Sequence, residues 1–167
     1  MYIVAVWGGV TTDGDGRIIY ASEAFAGWQQ LSLASLIEGS YVLQTNPPVS
    51  LLGVEFPEGP IKNTGYHLMD RDGVVFSRGP RGNHIRFNGI GGPSNDNLSY
   101  HAVIPIDAHS IDSKIDDGLA GEGWVMSSNR VASTLDCADT DYSAASTANY
   151  VLSNSTNITC QMWFWLD

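Results

Sequence analysis

The chain has 167 residues, of which 43% are hydrophobic and 10% aromatic; this is a folding composition, and at this length about 68–70% of the extended surface can be buried without help from a metal or partner. Lys and Arg total 8 against 18 Asp and Glu, a formal charge of −10, the wrong sign for nucleic acid, whose phosphates supply most of a binder's affinity, and for an anionic bilayer. No apolar run approaches the roughly 18 residues that a membrane span requires.

In chain order, residues 2–7 are apolar and read equally as a short strand or as the tail of a helix; they lack the basic leader and small-residue cleavage site of an intact signal peptide. Residues 11–17, TTDGDGR, predict a tight acidic turn. Ser22 can cap a helix over residues 23–37, with Glu23 in its first turn and Phe25, Trp28, Leu31 or Ser32, and Leu36 at the 3.6-residue period; Gly39 is the stop signal. Pro47, Pro48, Pro57 and Pro60 make residues 40–62 a long ordered loop.

Strand signals follow. Residues 65–69 and 74–78 flank the turn Asp70-Arg71-Asp72-Gly73, and residues 84–87 alternate Ile85 and Phe87 against His84 and Arg86. Residues 88–97 read as a loop and 98–104 as a strand. A short helix fits residues 107–115, capped by Asp107, with Ala108, Ile111 and Ile115 on one face and Asp116-Asp117-Gly118 ending it. Residues 123–127, 150–152 and 159–166 are further strand candidates; the last, TCQMWFWL, is apolar on both faces and so reads as a central or helix-covered strand. The expectation is one α+β domain over residues 1–167, an early helix packed on a mostly antiparallel β-sheet with long loops.

The residues that carry chemistry are sparse. His67, His84, His101 and His109 form no HxH, HExxH or close helical pair and read as surface or structural histidines. No GxSxG turn presents a nucleophile, and the run Gly89, Gly91, Gly92 lacks the P-loop Lys-Ser/Thr. Asp116 and Asp117 are adjacent, weak support for an acid–base pair, so the chain is not expected to be an enzyme. Oxygen ligands for calcium are the remaining option. Asp13 and Asp15, with Gly16, match the middle of a calcium loop, although Thr11 and Ser22 stand where carboxylates belong. Asp136, Asp139 and Asp141 form a second candidate group. Asp112, Asp116 and Asp117, with Lys114 among them, can cap, form ion pairs or ligate.

Two cysteines, Cys137 and Cys160, enclose a segment rich in Ala, Ser, Thr and Asn that packs poorly by itself. A bridge would close a loop of about 24 residues and contribute about 3.5 kcal/mol in the chain-entropy treatment; the alternative is two buried reduced thiols. A disulfide implies a periplasmic or extracellular address.

In these motifs the chain resembles the globular head of the type IV pilin-like proteins, the prepilin-type N-terminal methylation class that includes pilins, minor pilins and the pseudopilins of type II secretion. One bacterial subgroup carries Trp-Gly, then Gly-Asp-Gly, then Glu-x-Phe-x-x-Trp-Gln-x-Leu-x-Leu-Ala-x-Leu-Ile-x-Gly-x-Tyr. Trp7-Gly8, then Gly14-Asp15-Gly16, then Glu23, Phe25, Trp28, Gln29, Leu31, Leu33, Ala34, Leu36, Ile37, Gly39 and Tyr41 match it in turn. The later signature, Ile-Asp-x-Lys-Ile-Asp-Asp-Gly-x-x-x-x-Gly, is matched by Ile111, Asp112, Lys114, Ile115, Asp116, Asp117, Gly118 and Gly123, and the family's late cysteine pair by Cys137 and Cys160.

The resemblance implies a structural subunit of a type IV pilus or type II secretion pseudopilus. Its partners would be other subunits and the inner-membrane assembly machinery. It would touch the membrane only through an N-terminal helix absent from this sequence, residues 2–7 following that helix. It would be anchored in the inner membrane before assembly and then lie at the bacterial surface or in the periplasm. The 111–118 motif would be architectural, with Ile111 and Ile115 anchoring a helix, Asp116 and Asp117 fixing the turn, and Lys114 pairing with an acid or neutralising the helix end. The alternative is an extracellular adhesive module at a filament tip, using aromatics such as Trp124, Trp163 or Trp165.

Overall fold

The computed structural model describes residues 15–18, 22–42, 52–70, 82–89, 101–129, 136–140, 148–154 and 156–166. The 2–7 stretch, the 74–78 strand, most of the 88–97 loop, the start of the 98–104 strand, and Asp13 and Asp141 lie outside these residues.

Helix α1 spans Ser22–Leu33. Ala24 and Trp28, one turn apart, are buried, and Phe25 and Leu31 pack beside them. The helix starts where expected and stops four residues early. Ser35 takes a left-handed φ of 57°, its N–H bonds Ser32 O, and the Leu36 N–H reaches back to Leu31 O, both at 3.0 Å. These two hydrogen bonds close the helix in the manner usually left to glycine, and Leu36, expected on the apolar face, is 70% exposed.

The strands β1 (Thr64–Asp70), β2 (Asn83–Gly89), β3 (Val125–Ser128) and β4 (Gln161–Trp165) form one antiparallel sheet in the order β1-β2-β4-β3. The sheet with α1 against it is the expected α+β architecture, and β4 lies in its interior. The register sorts the side chains into rows, because directly opposed residues share a face. Tyr66, Phe87, Met162 and Ser127 form one row, and Leu68, Ile85, Phe164 and Val125 the next. This face carries both larger apolar clusters: α1 packs at its β1 end, and α2 (Pro105–Ile115) brings Ala108 and Ile111 to the other. The opposite face carries the row His67, Arg86, Trp163 and Met126, beside Met69, His84 and Trp165. All seven are buried. The alternation in residues 84–87 therefore does not mark a face turned to water.

Helix α2 begins at Pro105, whose missing N–H costs nothing at the first helical position. Ile104 is the N-cap and makes no side-chain bond, so Asp107, expected as the cap, sits in the first turn instead. The expected apolar face is also rotated: Ala108 and Asp112 are fully buried, Ile111 half so, and Ile115 is 62% exposed.

Candidate functional site

The acidic turn after α2 is built from three carboxylates, each aimed at backbone N–H groups. Asp112 Oδ1 accepts from Gly118 N at 3.1 Å, and its Oδ2 accepts from the Tyr150 hydroxyl at 2.8 Å. Tyr150 Oη also lies 3.0 Å from Ser127 Oγ on β3. Asp116 ends the helix: its N–H donates to Asp112 O at 2.7 Å, and its Oδ2 accepts from the N–H groups of Trp124 and of Val125, the first residue of β3. Asp117 Oδ1 accepts from Leu119 N at 2.8 Å, an Asx turn. Two glycines make this path possible. Gly118 has φ +77° and a Cβ there would meet Ser113 Oγ; Gly123 has φ +78° and a Cβ there would strike the Asp116 carboxylate. The spacing of the 111–123 motif is thus the spacing of one folded turn.

Its electrostatics follow from burial. Desolvation pushes the Asp112 carboxyl up to about 6; the bonds from Tyr150 and Gly118 act the other way, and the charges of Asp117 and Asp116 add to the rise. Burial likewise raises the Tyr150 phenol. One oxygen from each of Asp112, Asp116 and Asp117 lies within 4.8 Å of the others, so the three can hold a metal ion. Lys114 lies in the last turn of α2, where it complements the helix dipole, but among the described residues it pairs with no carboxylate; the ion pair found there is Arg17 Nε to Asp70 Oδ2 at 3.0 Å. Ile115, exposed, anchors nothing.

The other two acidic groups look different. Asp15 Oδ1 accepts from Arg17 N at 2.8 Å, shaping the early turn, and Asn83 ties that turn to β2 through Ile18 N and Gly16 O. Asp139 accepts from Asn149 N and Nδ2 at 2.9 and 3.1 Å, bonds that hold its carboxyl below the usual range. Asp136 contributes its backbone carbonyl to Asn154 and Thr159. Asp13 and Asp141 lie outside the described residues, so each of these two groups is seen only through its remaining members.

Cys137 and Cys160 form a disulfide, S–S 2.00 Å and Cα–Cα 5.0 Å. Buried Asn129, just after β3, holds the Cys137 segment from the side: its Oδ1 accepts from Cys137 N and Ala138 N, and its Nδ2 donates to Ala138 O. Asn129, Ser127 and Tyr150 were missed from the sequence, since no local spacing ties Tyr150 to a partner 38 positions earlier.

Of the aromatics singled out, Trp124 is 50% exposed, but Trp163 and Trp165 are buried, packed with Arg86 and His84. A second aromatic feature, made of one buried and three half-buried rings, lies elsewhere. Trp28, Tyr41, Tyr66 and Phe164, with Ile85 beneath, wall an open cavity of about 480 Å³ on the α1 face of the sheet, and Glu38 stands in its lining.

No protein-family model, no curated protein and no solved structure matches this chain. Fold and site together define an acidic α+β protein with a disulfide clasp and a carboxylate-built turn.

Proposed function

We propose that this chain is the globular head of a filament subunit, a minor pilin or pseudopilin of a type IV pilus or a type II secretion pseudopilus. One observation carries the reading: the conspicuous acidic motif directs its carboxylates to backbone N–H groups and so orders a turn between a helix and a strand. That is the work of a scaffold, and the reading makes the chain a subunit rather than an enzyme. The motif's similarity to the pilin-like signature and the disulfide, which suits an extracytoplasmic address, support it. Among the described residues no helix is long and apolar enough to cross a membrane. In this reading an N-terminal helix supplies the inner-membrane anchor and the filament's cohesion, the partners are other subunits and the assembly machinery, and the assembled head lies in the periplasm or at the cell surface. For Asp112, Asp116 and Asp117 we take calcium as the ion, since the donors are all hard oxygens, a set that magnesium and manganese share. Deleting the gene and restoring it in full should abolish and then recover surface filaments or secretion; an unaffected deletion strain contradicts the reading. The aromatic cavity favours the alternative, an extracellular adhesive or binding module at a filament tip.

A further inference from the structure

The cavity on the α1 face has an unusual wall. Four of its described lining residues are aromatic, and the Trp28 and Tyr41 rings stand at 53° with centroids 6.4 Å apart, forming a corner rather than a stack. Two ring faces so arranged can both come within about 6 Å of one cation placed in the corner. Among the described lining residues Glu38 alone carries a charge at neutral pH, it is exposed, and no basic side chain accompanies it. The chain's −10 charge adds a long-range attraction for cations. A volume of about 480 Å³ suits a small organic molecule.

We propose that this cavity binds a small soluble organic cation, a trialkylammonium head carried on a short apolar tail. The head sits against Trp28 and Tyr41 with its charge toward Glu38, and the tail lies over Ile85 and Phe164. A bare ammonium is excluded by its hydration: it would surrender strong water contacts for an apolar wall, whereas a trialkylammonium presents methyl groups to the rings and is weakly hydrated. An anion meets Glu38 and the field of the whole chain. The site requires no filament and stands or falls independently of the subunit reading.

The test uses the purified chain, calorimetry and two-dimensional NMR, with three probes of one tail length: hexyltrimethylammonium, hexan-1-ol and hexanesulfonate. The ammonium should bind about tenfold tighter than the alcohol, the scale of a desolvated cation–aromatic contact, with the sulfonate weakest and the shifted resonances at Tyr41, Tyr66 and Phe164. Glu38→Gln should remove most of the preference for the cation and leave hexan-1-ol binding unchanged. Tyr41→Leu should weaken cation binding more than alcohol binding, with the melting temperature recorded to show that each variant is folded. Asp107→Asn, on exposed α2 surface, lowers the net charge equally and should change nothing. Equal affinity for cation and alcohol overturns the proposal, as does an undiminished preference in Glu38→Gln, or an equal loss in Asp107→Asn, which would assign the effect to overall charge.

Discussion

The Tyr150 hydroxyl meets Asp112 Oδ2 at 2.8 Å, joining the segment bridged to Ala138 to the buried side of α2, and from the same oxygen reaches Ser127 on β3. One phenol thus ties three elements together at the base of the acidic turn. Removing it leaves a buried carboxylate short of a donor. Tyr150→Phe should cost about 2 kcal/mol, the scale of a hydrogen bond to a charged group, and should raise the Asp112 carboxyl further, because the lost bond is one that lowers it. Denaturant titration and carboxyl-carbon NMR read the two effects; an unchanged midpoint and an unchanged Asp112 titration would contradict the linkage.

The pH dependence contains two opposed slopes. Asp112 holds its proton more tightly folded, about 6 against 3.8, so its contribution is complete below 3.8 and is lost as pH rises through about 6. His67 is the reverse case. Burial first, then the charges of Arg86 and His84, lower it from 6.5 to about 3, so its contribution is complete above 6.5 and is lost as pH falls toward 3. Between pH 4 and 6 they oppose each other. Asp112→Asn should therefore make stability climb more steeply with pH in that window, and His67→Gln should make it fall. Parallel profiles for wild type and both variants would remove these two groups from the account.

Two glycines separate strain from collision. Gly16 has φ +85° with open space around it, whereas a Cβ on Gly123 runs into the Asp116 carboxylate. Gly16→Ala should cost about 1 kcal/mol and Gly123→Ala more than about 2 kcal/mol, since the second displaces the acceptor of two backbone N–H groups as well. Thermal melts give the ranking, and equal losses would mean that Asp116 does not hold the start of β3.

Calcium at Asp112, Asp116 and Asp117 would bind the folded chain alone and raise its melting temperature. The rise should disappear in chelator and in Asp117→Asn. Superimposed melts with and without the ion would leave the three carboxylates with their backbone duties only.

Much of this was legible because local signals and tertiary structure agree. The start of α1 at Ser22–Glu23, the strand around Ile85 and Phe87, and the interior position of β4 all follow from capping and periodicity. The disulfide was legible from the weakly packing segment its cysteines enclose. The failures share a cause. Gly39 looked like the helix stop, yet Ser35 takes the left-handed residue's place. Ile115 was expected on the buried face of its helix and Asp112 to cap, pair or ligate; instead Tyr150, from far along the chain, bonds Asp112 on the buried side and Ile115 is exposed. The alternation of Ile85 and Phe87 with His84 and Arg86 does not say which face is wet, and the His84–Arg86 face of the sheet is buried too. The cavity joins α1, the segment after it and three strands, and no sequence window contains it.

The central claim, a filament subunit of the prepilin class, is tested most directly by the amino terminus of the native protein. Intact-mass and peptide mass spectrometry of the protein extracted from the cell envelope should find a processed chain beginning at N-methylphenylalanine, with an apolar helix ahead of the present sequence and the Cys137–Cys160 bridge two hydrogens lighter than its reduced form. An unprocessed, unmethylated terminus at Met1, on a chain recovered from the cytosol with two free thiols, would contradict it.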